Sequence, residues 1–138
     1  MAGYSPKALW EKLGVKSGMT VVIRNHTGLA IPDYLAQAPF PVTIVHEFFP
    51  QAPFNHLFVD RLDILKTEVL AILPLIDQAE MLWISWPKRA SGIATDITED
   101  RIRDVILPLG LVDVKVCSVT DEVWSGLKTV IRKTNRRQ

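Results

Sequence analysis

The sequence predicts an α/β domain of three layers, in which helices cover both faces of a mostly parallel sheet of about six strands. Apolar runs of strand length alternate with segments of helical periodicity along most of the chain. The first run, residues 20–24, lacks the alternation of a half-exposed strand and is typical of a parallel strand buried on both faces. The last two runs are joined by too few residues for a parallel crossover, so we expect them to pair antiparallel or not to pair at all.

The first half of the chain is expected to form a short helix and three strands. Ser5 is placed to cap the helix at its start, and Gly14 is placed to end it. After the first strand, a short helix opens at Pro32 and is followed by strands over residues 42–46 and 56–60. These elements describe the beginning of a parallel α/β sheet.

Two adjacent phenylalanines, Phe48 and Phe49, lie in the proline-containing loop between the second and third predicted strands. They are expected either to pack under this loop or to form part of a self-association surface near a sheet edge.

The second half is expected to alternate helix and strand and then to close in a hairpin. Apolar residues recur at helical spacing over 62–76, and a fourth strand spans 81–86. Thr98 caps the next helix. Strands over 111–119 and 127–133 form the hairpin. A parallel sheet with this ending is typical of a Rossmann-like domain with a reduced methyltransferase-like topology.

The composition is that of one globular domain. The chain has 138 residues, of which 48% are hydrophobic and 22% charged, which suits a single buried core. We expect one domain over residues 1–138, with a flexible basic tail at 133–138. No apolar stretch reaches the ~20 residues of a membrane helix, and the polar start does not resemble a signal peptide, so a cytoplasmic location is expected. The formal net charge of +1 argues against a nucleic-acid partner.

Three motifs carry a resemblance to a known family. They are WPK at residues 86–88, LPLGLVD at 107–113 and VWSGLK at 123–128. On these motifs the chain resembles a family of short bacterial proteins of uncharacterised function with a methyltransferase-like Rossmann sheet. The resemblance covers most of the chain and implies the fold, but it implies no reaction, ligand or catalytic residue.

In a sheet of this kind a ligand is expected outside the carboxyl ends of the parallel strands, where the strand order reverses between the first and third strands. We expect the polar residues that follow those strands to form one ligand-binding crevice. They are Arg24, His26 and Gly28 after the first strand, Glu47 after the second, Asp60 after the third, and Trp86, Lys88 and Arg89 after the fourth. Glu47 follows Gly28 by 19 residues, close to the ~20-residue spacing at which an acid binds ribose in dinucleotide sites.

The loop after the first strand departs from the usual cofactor pattern. It has a single glycine, whereas adenosylmethionine and dinucleotide sites usually carry a G-x-G pattern. Arg24 and His26 would crowd an adenosylmethionine there but would suit a phosphate or carboxylate. Lys88 and Arg89 either clamp an anion or are solvated cations paired with nearby acids. Trp86 either stacks on a base or packs in the core.

These observations predict a domain with a degenerate cofactor site that binds an anionic small molecule or a protein partner, a second copy of the chain included. The alternative is a divergent S-adenosylmethionine-dependent methyltransferase or another group-transfer enzyme that uses His26, Glu47, Asp60 and Lys88. The sequence assigns no cofactor.

A metal site is a weaker alternative. His26, His46 and Asp60 would form a facial triad if their strands were neighbours. His56 is expected at the start of its strand, at the opposite end of the sheet, and is excluded from the site.

Overall fold

The computed structural model of the protein describes residues 7–132. Its strands are β1 (Thr20–Asn25), β2 (Thr43–Val45), β3 (Phe54–Phe58), β4 (Met81–Pro87), β5 (Leu111–Ser118) and β6 (Trp124–Ile131). Its α-helices are α1 (Leu9–Leu13), α2 (Leu62–Ile72) and α3 (Glu99–Ile106), with short 3₁₀ helices at Tyr34–Gln37 and Arg89–Ser91. The fold is therefore α/β, as the sequence predicts.

The six strands form one mixed sheet in the order β2-β1-β3-β4-β6-β5. The four strands β1 to β4 pair in parallel, and β6 lies antiparallel between β4 and β5. The predicted closing hairpin is confirmed. The chain leaves β1 toward β2 on one side and returns to β3 on the other, so the strand order reverses beside β1, where sheets of this class bind ligands.

Helices α2 and α3 cover one face of the sheet. Leu65 and Val69 of α2 and Ile102 of α3 are fully buried against Leu57 of β3 and Ile84 of β4. The spacing of four residues between Leu65 and Val69 places both on one face of the helix. Burial of this apolar stripe fixes the two helices on the sheet.

Short elements and loops cover the other face, where large aromatic side chains fill the space. Trp83 and Trp124 pack there with Phe58. The Trp83 indole Nε1 donates to the carbonyl oxygen of Leu13 at 2.8 Å, and that of Trp124 donates to the carbonyl oxygen of Ala30 at 3.3 Å. These bonds satisfy two deeply placed donors and tie α1 and the loop after β1 to the sheet.

The end of the first helix agrees with the sequence. Helix α1 begins at Leu9 and ends, as expected, at Gly14 in the left-handed conformation with φ 100°. Ser5 and the basic tail at 133–138 lie outside the described residues. Within residues 7–132 no helix has the length and apolar character needed to cross a membrane.

The position predicted for His56 is wrong. Strand β3 begins at Phe54, so His56 lies at its centre and is fully buried. Asn55, a residue of low strand propensity, sits in this strand because its Nδ2 donates to the carbonyl oxygens of Ala52 and Met81. The strand thus begins two residues earlier than expected.

Phe48 packs, as one of the two alternatives expects. Its ring lies 5.0 Å from the guanidinium carbon of Arg24 and contacts the core between the sheet and α2. Phe49 is half-buried.

Gly126 of β6 provides a test of the packing on the aromatic face. A Cβ at this position would lie 2.8 Å from Cγ2 of Val119 and 3.4 Å from the Trp83 ring. Gly126→Ala is therefore expected to lower the free energy of unfolding by about 1–3 kcal/mol, measured by urea denaturation. Ser125→Ala, at the neighbouring half-buried position, is the control, and equal losses in the two variants would contradict the tight contact.

Candidate functional site

Arg24, near the end of β1, is the centre of a polar cluster at the carboxyl ends of β1 and β2. Its Nε and Nη2 donate to the two carboxylate oxygens of Glu68 on α2, at 2.5 and 3.0 Å. Its Nη1 donates to the carbonyl oxygen of His46 at 2.9 Å and to Oε1 of Glu47 at 3.0 Å. Nη2 also lies 3.2 Å from Nε2 of His26. These contacts occupy the donors of the guanidinium group.

Glu68 is the member of this cluster that the sequence did not predict. It lies within the apolar stripe of α2, between Leu65 and Ile72, and its side chain is 8% exposed. A carboxylate in that position requires a cationic partner, because a buried charge is unstable alone. The sequence contains this signal as one acid in an apolar helical face, but it does not identify Arg24 as the partner.

The Arg24–Glu68 pair remains charged at neutral pH. Burial acts to raise the pKa of Glu68, but the hydrogen bond and charge of Arg24, together with His26, outweigh burial and lower this pKa overall. The hydrogen bond to Glu68 is the main reason that the pKa of Arg24 is raised. With the histidines neutral, Arg24, Glu47 and Glu68 sum to a formal charge of −1 (+1 −1 −1).

A cavity of about 400 Å³ opens beside this cluster. It is lined by Ile23, Arg24, Asn25, His26, Ile31, His46 and Glu47. His46 forms part of the wall because its Nδ1 donates to the carbonyl oxygen of Ile23 at 2.9 Å. The cavity therefore lies where the strand order reverses, and three of the predicted site residues meet in it.

The loop after β1 is held by its own side chains. Oδ1 of Asn25 accepts from the amide and the hydroxyl of Thr27, and Nδ2 of Asn25 donates to the carbonyl oxygen of Leu29. Gly28 has φ 72°, the left-handed region that favours glycine, and a Cβ there would meet no atom within 4 Å. Gly28 therefore allows the backbone to make this turn, and there is open space next to it.

The remaining predicted site residues lie apart from this cavity. Trp86 and Arg89 line a second cavity beside the loop that leads into α3. Asp60 lines an open depression of about 410 Å³ with Arg61 and Asp96, and this depression adjoins the second cavity, with which it shares Ala94 and Thr95.

Lys88 is held by the turn between β5 and β6. Its Nζ donates to Oγ of Ser118 at 2.6 Å and to the carbonyl oxygen of Asp121 at 3.1 Å. The structure thus does not bring Lys88 and Arg89 together as a clamp.

The proposed metal triad does not form. His26 lies against Arg24 and Glu68, whereas Asp60 is in a different depression. In the part of the chain that the structure describes, no three His, Cys, Asp or Glu side chains are grouped to hold a metal ion.

His56 is the centre of a second polar network, sealed inside the protein. Its Nδ1 lies 2.6 Å from the hydroxyl of Tyr34, and its Nε2 lies 2.7 Å from Oγ of Ser85. Its ring stacks on Phe58 with centroids 4.1 Å apart. One nitrogen of a neutral imidazole donates and the other accepts, so the two hydroxyls take opposite roles. Burial lowers the pKa of His56 to about 3 and raises the pKa of Tyr34.

Several solved structures have a fold similar to that of this chain. The LepI complex with SAM has a TM-score of 0.53 and 17% identity, and a LepI variant with SAH and a substrate analogue has a TM-score of 0.53 and 16% identity. Each match covers 90% of this chain and 39% of the LepI chain. Ribosomal protein L11 methylase from Lactobacillus delbrueckii subsp. bulgaricus has a TM-score of 0.54 and 10% identity, with 90% of this chain and 75% of that chain covered.

The fold is methyltransferase-like. No protein-family model matches this chain, and comparison with curated proteins gives no relative. The resemblance on the WPK, LPLGLVD and VWSGLK motifs therefore stays a prediction.

Glu68→Gln is expected to lower the free energy of unfolding by about 2 kcal/mol at pH 7, because it leaves the charge of Arg24 poorly compensated. The loss stays moderate because the Arg24 side chain is 17% exposed and keeps its contact with Glu47. Since folding lowers the pKa of Glu68, its contribution is complete above the unfolded pKa of ~4.3 and is lost as the pH falls through the folded pKa.

Urea denaturation at pH 7 and pH 3 measures this difference, which should shrink at pH 3. Glu47→Gln is the matched control, since Glu47 contacts the same guanidinium but is 89% exposed, and it should cost less than about 0.5 kcal/mol. Equal effects of the two substitutions would contradict the role of Glu68.

His56→Gln is expected to remove an acid-sensitive part of the stability. Between pH 6.5 and pH 3 the unfolded chain protonates this histidine and the folded protein does not, so stability falls as the pH falls. From pH 7 to pH 4 this group should cost the wild type about 3 kcal/mol. Urea denaturation across this range should show the extra slope in the wild type and in the exposed control His46→Gln, but not in His56→Gln. The same slope in all three proteins would refute the assignment.

Proposed function

We propose that this chain is a small-molecule binding domain whose ligand carries a ribose with two neighbouring hydroxyl groups. The ligand would lie at the carboxyl ends of β1 and β2. Glu47 is the observation that carries the proposal, because its side chain is 89% exposed and lines the cavity where the strand order reverses. In nucleotide-binding sheets, an acid at this place accepts hydrogen bonds from ribose hydroxyls.

The contacts of Glu47 suit that role. Oε1 accepts from Arg24, which holds the carboxylate at the rim of the cavity. Oε2 has no hydrogen-bond partner among the described residues. A carboxylate has about four lone-pair positions, so Glu47 can accept two hydroxyl hydrogens and keep its contact with Arg24.

An anionic ligand, as expected from the sequence, is the second candidate, because Arg24 borders the same cavity. Such a ligand would have to displace Glu47 from Nη1. It would also meet the formal charge of −1 that Arg24, Glu47 and Glu68 carry together. The ribose diol is uncharged, so it neither displaces Glu47 nor is repelled by this negative charge. For this reason we place the ribose ligand first.

S-adenosylmethionine and S-adenosylhomocysteine are the first ribose compounds to test, since the LepI structures hold SAM and SAH. Methyl transfer is the alternative function for the same site. It requires a second, acceptor substrate in addition to the bound nucleoside.

Glu47→Gln distinguishes the two ligand classes. It should weaken the binding of S-adenosylhomocysteine about tenfold, because charge-assisted hydrogen bonds to the ribose become neutral ones. It should strengthen the binding of inorganic phosphate, which has no ribose, because a competing negative charge beside Arg24 is removed. Isothermal titration calorimetry measures both affinities, and Glu122→Gln, in the exposed turn between β5 and β6, is the control.

Failure of S-adenosylmethionine, S-adenosylhomocysteine and adenosine to bind the wild type would refute the ribose proposal. Inorganic phosphate that binds the wild type and binds Glu47→Gln more tightly would then establish the anionic ligand. Mass spectrometry for S-adenosylhomocysteine formed from S-adenosylmethionine, in the presence of candidate acceptors, separates methyl transfer from binding.

A further inference from the structure

The second cavity lies at the carboxyl end of β4 and shares no lining residue with the cavity beside Arg24. Its volume is about 470 Å³, within the range of small-molecule sites. Trp86, near the end of β4, forms one wall, and residues 92–99, which lead into α3, form the other. Ile93 and Ile97 make part of this second wall apolar.

The indole of Trp86 has an unused hydrogen-bond donor. Trp86 is 6% exposed, and a buried indole N–H usually has an acceptor. Trp83 and Trp124 follow this rule by donating to backbone carbonyls. Nε1 of Trp86 has no acceptor among the described residues, and it is not one of their fully buried unpaired atoms, so this N–H reaches the solvent-accessible surface. Because Trp86 lines the cavity, a ligand there can supply the acceptor.

Arg89 adds a positive charge at the same cavity. Its side chain is exposed and has no ion pair or hydrogen bond to the described residues. Glu99 is the acid in the lining, but its carboxylate is engaged by Arg103 on the next turn of α3. The charge of Arg89 is therefore available to a ligand. Glu99 shares Arg103 with Asp100 and Asp113 and keeps part of its negative charge, so Arg89 is the group in the lining that attracts an anion.

We infer that this cavity binds a flat aromatic carboxylate. The ring occupies the space between Trp86 and the two isoleucines, Ile93 and Ile97. The carboxylate accepts from the indole N–H of Trp86 and from the guanidinium group of Arg89. This site does not depend on the ribose site, because the two cavities have no residue in common.

A titration with 2-naphthoate, followed by ¹H–¹⁵N NMR of the indole N–H groups, tests the inference. A ligand of this size is expected to bind with a Kd of about 1 mM. The indole resonance of Trp86 should move with the titration, and those of Trp10, Trp83 and Trp124 should not. The Trp86 resonance is identified by its absence from Trp86→Phe and independently by backbone assignment.

Two substitutions test the two polar contacts. Arg89→Gln should weaken 2-naphthoate about fivefold, and Trp86→Phe, which keeps a ring but removes the donor, should weaken it about threefold. Lys66→Gln, which removes an exposed cation on α2, should leave the Kd unchanged. Arg89 is exposed, so its variant keeps the test valid if Trp86→Phe fails to fold.

Naphthalene-2-carboxamide, an uncharged molecule of the same shape, should bind at least fivefold more weakly than the carboxylate. Equal binding of the amide, an unchanged Kd in Arg89→Gln, or no shift of the Trp86 indole resonance up to 10 mM 2-naphthoate (about ten times the expected Kd) would each overturn the inference. None of these results bears on the ribose proposal, which is tested with different ligands.

Discussion

The ion pair between Arg24 and Glu68 is the interaction on which the candidate site depends. It joins the end of β1 to the middle of α2, and the remaining donors of Arg24 bind the His46 carbonyl and Glu47 beyond β2. One guanidinium group thus sets the relative positions of two strand ends and a helix. Because its donors are occupied, Arg24 positions Glu47 more readily than it receives a ligand of its own.

The cavities beside Arg24 and Trp86 lie at different strand ends of the sheet and have no lining residue in common. The one beside β1 and β2 contains a cluster with a negative formal charge and an exposed carboxylate. The one beside β4 is lined by the indole of Trp86 and the exposed guanidinium group of Arg89. The edge that the sequence presents as a single crevice is therefore divided by geometry, and the two proposed ligands differ because the charges in the two linings differ.

The fold was predictable because its signals are local. The apolar run of β1, the Thr98 cap of α3 and the short connection before β6 each specify their element directly. The site was less predictable because its contacts join distant residues: Glu68 meets Arg24 across 44 positions. Lys88 was expected beside the ligand, but its long side chain reaches Ser118 instead. Spacing along the chain indicates which strand end a residue follows, but not the direction its side chain takes.

Helix α1 has only five residues, too few to be stable by itself in water. Its order depends on the sheet beneath it, through buried Leu13 and the bond from the Trp83 indole to the Leu13 carbonyl. Local unfolding should therefore start in this layer and leave the hydrogen-bonded strands intact. Amide exchange in α1 would then report the loss of its anchorage to Trp83 well before the whole domain melts.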